Sequence, residues 1–265
     1  MTATPVDFDG FTRRDETFDR KTYPVYRGGS GPAVVVIHEV PGLHPGVVDF
    51  ARHVVDAGFT VFMPSLFGTP GRPVSGSYAM SMFARVCVSR EFHVLALGKS
   101  SPIVSWLRAL AAAAYAECGG RGVGAIGMCF TGGFALGMAV DDHLLAPVLS
   151  QPANPMPIGA RRRSSIDISP ADFDTVQARA ADGACQVLGL RFTADRAVPK
   201  ERFAMLRREL GDAFIAIEID SSPGNPHGIP ASSHSVLTEH LVDQPDHPTR
   251  QARDRMLEFL RARLL

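Results

Sequence analysis

Gly124-Ala125-Ile126-Gly127-Met128-Cys129-Phe130-Thr131-Gly132-Gly133 is the stretch on which the reading of this chain turns. Val123 to Ile126 predicts a short apolar strand and Phe130 to Val140 a helix, so a strand runs straight into a helix through a glycine-rich turn. Cys129 stands at that turn. Small residues on both sides let the strand and helix backbones approach closely, which holds the side chain between them strained and exposed. A thiol there also faces a helix N-terminus, whose partial positive charge favours the thiolate nucleophile. The same residues fit a second reading, a buried packing thiol, because free cysteine is among the most buried residue types.

Working outward, apolar β-rich runs alternate with longer helical patterns, which predicts an α/β fold with a mostly parallel sheet and helices on both faces. Val34-Val35-Val36-Ile37 is continuous in the way of a strand covered on both faces. A helix over 46–57 follows and ends at Gly58. Phe59 to Met63 reads as a strand, and 64–76 as a long loop rich in Gly, Pro and Ser. Helical patterns cover 78–97 and 102–117, the second with Ser101 as N-cap and Pro102 as its first residue. Strands are expected over 144–149, 186–192 and 213–219, with a helix over 199–210 and a last helix from about Pro248. Residues 151–174, with four prolines and the run Arg161-Arg162-Arg163, read as an irregular insertion or lid over one end of the sheet. No repeat or linker divides the chain, so residues 1–265 are expected to form a single domain.

Composition removes several function classes. The 265 residues carry 27 Lys+Arg against 27 Asp+Glu, and this zero net charge lacks the basic footprint of a nucleic-acid or anionic-membrane binder. Gly122 to Val140 is free of charge over about a helix span, but its six glycines and its strand-turn-helix character make a membrane span unnecessary. Cys87, Cys118, Cys129 and Cys185 form no CxxC pair and no metal-ligand spacing, so neither a zinc site nor a disulfide framework is expected. The first 16 residues have no apolar segment of the kind a signal peptide needs. A cytoplasmic protein with reduced thiols is expected, with no metal or organic cofactor.

An acyl-transfer nucleophile needs a base, a group that orients the base, and donors for the oxyanion. Asp195, after the strand ending near Phe192, and His234, after the last strand, fall at the C-terminal ends of strands on the same edge as Cys129. Ligand sites of open α/β sheets lie at that edge. His227 competes with His234, and position alone does not choose between them. Glu39 closes the strand ending Ile37-His38-Glu39 and would point into the same crevice, or stand as a solvated loop acid. The other histidines form no ligand spacing, and most of them read as surface or locally satisfied residues. The backbone N–H groups of Val40 and Phe130 are the natural oxyanion donors.

These residues together resemble the dienelactone hydrolase family, a cysteine-using branch of the α/β-hydrolases, from about residue 30 to the C-terminus. The resemblance rests on Ile37-His38-Glu39, the Gly127-Met128-Cys129 elbow, Asp195 with Val198-Pro199, and the pair His234-Ser235. It implies an α/β-hydrolase fold, Cys129 as nucleophile, His234 as base, Asp195 as its orienting acid and Glu39 as a gate on thiol ionisation. The His-Ser match favours His234 over His227. Thr131 stands where the family commonly has glycine, so helix packing at the elbow is expected to differ. The family's enzymes grip a substrate carboxylate with arginines; Arg85 and Arg90 are the candidates here, with Ser235 as a further substrate contact. The expected activity is hydrolysis of a small ester, lactone or thioester through a thioacyl-enzyme. The rivals are acyl transfer by the same cysteine, and a non-catalytic ligand-binding module with an inert thiol.

Overall fold

In a computed structural model, residues 6–89, 92, 100–154 and 157–265 are described. Eight strands form one sheet: β1 (Thr12–Phe18), β2 (Lys21–Gly29), β3 (Ala33–Ile37), β4 (Thr60–Pro64), β5 (Val123–Met128), β6 (Leu144–Ser150), β7 (Val187–Phe192) and β8 (Phe214–Ile219). Their order across the sheet is β1-β2-β4-β3-β5-β6-β7-β8. The pairs from β4 through β8 are all parallel, while β1–β2 and β2–β4 are antiparallel. The central strands β3 and β5 are apolar throughout because helices cover both faces, while β7 carries Arg191 and the edge strand β8 Glu218. Along β3 the period of two is explicit. Ala33, Val35 and Ile37 join the cluster on one face, and Val34 and Val36 the cluster on the other.

The helices are α1 (Pro45–Asp56), α2 (Gly76–Val88), α3 (Pro102–Cys118), α4 (Gly132–Met138), α5 (Ala160–Arg163), α6 (Pro170–Ala181), α7 (Lys200–Leu210) and α8 (Pro248–Leu264). On α3, Ile103, Val104, Trp106, Leu107, Leu110, Ala111 and Ala114 are buried, the three-and-four spacing of a helix with one apolar face. Leu260 and Leu264 of α8 lie against Gly124 on the opposite face, where an added Cβ would stand 3.2 Å from each. That glycine lets α8 pack closely on the central strand.

The β1–β2 hairpin is an element the sequence pattern did not announce. β1 is polar and largely exposed, and in β2 the buried Val25 and Tyr26 are adjacent in sequence, so no apolar alternation marks the pair. Tertiary contacts hold it instead. Trp106 donates from Nε1 to the Lys21 carbonyl at 3.0 Å, and its ring meets Phe18 and Tyr23 edge-on. Glu117, at the far end of the same helix, takes Arg14 at 2.6 Å and Arg27 at 2.7 Å.

Residues 151–174 are more regular than expected, holding α5 and the start of α6. Ser169 caps α6 by accepting from the Asp172 N–H at 3.1 Å, ahead of Pro170. That Ser-Pro start is a helix signal within a stretch read only for its prolines. Ser101, the expected cap of α3, makes no side-chain capping hydrogen bond. The second half of the helix expected over 78–97 lies outside the described residues.

Candidate active site

The elbow between β5 and α4 is built as the glycines suggest. Cys129 sits at φ +57°, a left-handed conformation that costs a residue with a Cβ about 1–3 kcal/mol and persists only where its surroundings enforce it. A Cβ on Gly127 would stand 2.1 Å from the Thr131 carbonyl oxygen, and one on Gly132 2.8 Å from Pro152 Cβ. Only glycine fits either place. Thr131 fills the turn from inside: its hydroxyl accepts from the Met128 N–H at 2.8 Å and donates to the Met128 carbonyl at 2.7 Å, with the Ile37 carbonyl 3.2 Å away. The threonine thus ties the elbow to the end of β3, a bond that glycine could not make.

Asp195 lies in the loop after β7 and His234 in the loop after β8. His234 Nδ1 and Asp195 Oδ2 are 2.6 Å apart, and the other oxygen of Asp195 accepts from the Ala197 N–H at 2.9 Å. With Nδ1 engaged, the far side of the ring is left to face the Cys129 sulfur. Burial pulls the His234 pKa down. The charge on the Cys129 sulfur and the Asp195 carboxylate outweigh it, and the net shift is well above 6.5. His227, the competitor, is exposed; its N–H bonds Asn225 Oδ1 at 3.2 Å and its ring lies 5.7 Å from that of His247.

Cys129, Asp195 and His234 share the wall of one cavity of about 780 Å³. Phe83, Phe130, Ala153, Pro157, Ala197, Pro223 and Ala231 make that wall largely apolar, while Asn154, Arg196 and Ser232 are its remaining polar side chains among the described residues. A mostly apolar pocket with a few convergent polar groups is the usual form of a small-molecule site. Val40 and Phe130, the expected oxyanion donors, directly follow Glu39 and Cys129 in the chain; Phe130 lines the cavity and Val40 is not among its lining residues.

Glu39 does not reach the thiol. It is 2% exposed, and its oxygens accept from Gln151 Nε2 at 3.0 Å, Ser235 Oγ at 2.7 Å and the Thr238 hydroxyl; Cys129 is not among its hydrogen-bond partners. His44 Nε2 stands 3.5 Å away, with its other nitrogen 3.2 Å from Glu239, and neither contact is aligned as a hydrogen bond. Burial would raise the Glu39 pKa, but His44, the Thr238 hydroxyl and the charge of His234 hold it below the ordinary carboxylate value. Ser235 is therefore turned away from the cavity and braces Glu39. The expectation that His44 is a surface or satisfied residue is also corrected: it is 1% exposed with both ring nitrogens unbonded. His38 is satisfied. Its Nε2 accepts from the Leu66 N–H at 3.0 Å, so Nδ1 carries the proton toward the Glu39 carbonyl at 3.0 Å. Burial pushes the His38 pKa down to about 4, which keeps it neutral.

Arg85 lines a separate cleft with Arg72, Tyr78 and Ser81, not the cavity over Cys129, and Arg90 lies outside the described residues. The sequence reading also missed residues at the site. Gln151 sits at the C-terminal end of β6, at φ +36°, in the position that singled out Asp195 and His234 on their strands. The same rule would have found it. Arg196 and Asn154 had no such signal.

Glu39 carries a prediction of its own. Because its folded pKa is depressed, its contribution to stability is present above the unfolded value and is lost as pH falls through the folded one. Glu39→Gln puts an amide N–H₂ among three hydrogen-bond donors and should cost about 2–4 kcal/mol near neutral pH. The deficit should shrink as the wild type is acidified. Urea unfolding of both proteins from pH 7 down to the acid transition checks this; a deficit that does not change with pH would mean Glu39 is not held ionised.

A model of the dienelactone hydrolase family matches residues 22–264. The chain belongs to that family. Over 57 residues it is 42% identical to YghX of Escherichia coli (strain K12), a fragment assigned as a hydrolase; the match takes in 20% of this chain, which spans about half (49%) of that relative's length. Among solved structures, a protein assigned as a dienelactone hydrolase from Klebsiella pneumoniae subsp. pneumoniae superposes with a TM-score of 0.64 at 17% identity, covering 96% of this chain and 99% of that one. A cold-adapted esterase from an Arctic intertidal metagenomic library gives 0.59 at 14%, covering 100% and 99%. A promiscuous dienelactone hydrolase-like phosphotriesterase from metagenomic libraries gives 0.58 at 18%, covering 97% and 100%. At these identities the structures share the α/β-hydrolase fold with this chain. Among its described residues, no helix is long and apolar enough to cross a membrane.

Proposed function

We propose that this member of the dienelactone hydrolase family hydrolyses a small carboxylic ester, lactone or thioester through a thioacyl-enzyme on Cys129. The observation that carries the reading is the line from Asp195 through His234 to Cys129 on the wall of a cavity large enough for a small apolar substrate.

The Cys129 sulfur attacks the substrate carbonyl, and the backbone N–H groups of Val40 and Phe130 receive the oxyanion. The carbon–oxygen or carbon–sulfur bond then breaks, and the proton on His234 goes to the leaving group. Deacylation needs the opposite of His234: it must take a proton from water. Burial lowers the His234 pKa and the charge on the sulfur is the strongest influence raising it; that charge disappears once the sulfur is acylated. One histidine thereby serves as acid in the first half and base in the second. Asp195 holds the ring in register for both. Glu39, tied to Ser235 and Thr238, holds the loop carrying His234 against the end of β3. The apolar walls suit an uncharged acyl or alkoxy group, and Arg196 is the wall's cation for a substrate that bears an anion.

The test is turnover of a dienelactone and of short-chain p-nitrophenyl esters and thioesters, with acid quenching to catch the intermediate. Hydrolysis with one acyl group on the Cys129 peptide is the expected result. Transfer to an added alcohol or amine in preference to water would move the protein to acyl transfer. A folded protein that turns over nothing, and whose Cys129 alkylates no faster than Cys87, Cys118 and Cys185, would be a binding module.

A further inference from the structure

Arg202, in the first turn of α7, has a side chain that is wholly buried and makes no ion pair within 4 Å among the described residues. Its guanidinium spends its donors on backbone carbonyls. Nε donates to Ser165 at 2.6 Å, Nη1 to Pro152 at 2.8 Å and to Ala197 at 3.0 Å, and Nη2 to Arg162 at 3.1 Å. These acceptors come from three separate segments, and two of the segments border the reacting groups. Ala197 is the residue whose N–H fixes one oxygen of Asp195. Pro152 packs on Gly132 of the elbow, and its neighbour Ala153 donates to the Cys129 carbonyl at 3.1 Å. The third segment supports the cavity wall, since Asn154 bonds the same Ser165 that Arg202 holds.

We infer that Arg202 is a positioning residue for the triad, a single planar group that sets the Asp195 loop against the nucleophile elbow and fixes 152–154 and 162–165 beside the cavity. The inference rests on the reading of Cys129, His234 and Asp195 as the reacting groups. An arginine suits this because its five donors lie in one rigid fork, so four carbonyls from three segments are fixed in one plane. Lysine has three donors on one atom and could not span them. Asp167 and Asp195 act on Arg202 without a close ion pair, and burial pushes the Asp167 pKa up to about 7, so the carbonyl dipoles hold the cation. Pro152, Arg162 and Ser165 are accordingly pinned from α7, and Arg163 adds a second tie to Glu201 of the same helix at 3.0 Å.

A bracing role for stability alone would give a different result, and the molecule supplies its own control. Arg179 is also buried and also bonded to carbonyls, those of Ala139, Leu144 and Asp142, but none of these borders the cavity. Arg202→Lys and Arg179→Lys should both lower the melting temperature. Only Arg202→Lys should disturb the site. The pKa of His234, followed by NMR titration of its ring, should fall by about one unit as Asp195 loses its orientation. The rate constant for Cys129 alkylation should move with it, and kcat per titratable Cys129 should drop by about tenfold or more with a smaller change in KM. An unchanged His234 titration in folded Arg202→Lys would overturn the inference. So would equal losses of kcat in the two variants. If Arg202→Lys does not fold, Ala197→Pro supplies the second variant: it deletes the N–H that fixes Asp195 and leaves the carbonyl to Arg202. The same fall in the His234 pKa is then expected, and no fall would sink the proposal. The titration reads Arg202 even if the wild type hydrolyses no ester, so failure of the proposed reaction and failure of this inference are separate results.

Discussion

Cys129→Ala should lower kcat/KM for any ester the protein hydrolyses by ~10⁴-fold or more, leaving what the oxyanion donors and binding supply unaided. Alanine tolerates the left-handed φ of +57° no better than cysteine does, so the substitution removes the sulfur without changing the strain of the turn. The melting temperature should therefore hold. Removing the sulfur also removes the strongest influence that raises the His234 pKa, so the histidine should titrate lower in the variant. Initial rates give the first result and NMR titration the second. Retained turnover within about tenfold of wild type would end the thioacyl reading, because no covalent intermediate on this residue could then carry the flux.

His234→Ala should cost about 10²–10⁴ in kcat, the usual worth of a positioned acid–base group. His227→Ala should leave the rate within about twofold, as expected for an exposed residue away from the cavity. Asp195→Asn is the informative partner. It removes a carboxylate that raises the His234 pKa, so the imidazolium should lose its proton at lower pH. The sign follows from the raised value: His234 keeps its proton up to its folded pKa and loses it above that. In the wild type the alkaline fall of the acylation rate should come well above 6.5, and in Asp195→Asn it should move toward neutrality. Single-turnover rates from pH 5 to 10 measure this. A large loss in His227→Ala with His234→Ala nearly intact would transfer the role of base.

The core strands and the grouping of Cys129, Asp195 and His234 on one cavity wall were legible because they obey local rules. Val34 to Ile37, the 123–128 strand and its glycine turn announce themselves by apolar continuity and by residues that only a tight turn requires. Asp195 and His234 follow from one topological rule, that the chemistry gathers at the C-terminal ends of parallel strands. What escaped was held by contacts distant in sequence. The β1–β2 hairpin has no apolar pattern because a tryptophan and a glutamate on α3 fasten it from outside. Arg85 matched a sequence expectation, but α2 turns it into a different cleft. Glu39 was placed at the right strand end, yet its side chain was not legible. Its direction depends on Ser235, 196 residues away, and on Thr238, 199 away. Arg202 could not be found at all, since an arginine in the first turn of a polar helix looks like surface.

The order of the strand ends along the chain also has a consequence during synthesis. The chain emerges nucleophile first, and Asp195, His234 and the hydroxyls that seat Glu39 follow only with the last two strands and the loop after β8. An incomplete chain on the ribosome thus carries a cysteine elbow with no partner to act through. Under the proposed reaction, esterase competence switches on once, late, when the final loop closes over the carboxylate of Glu39, and a truncated product would be chemically silent rather than partly active.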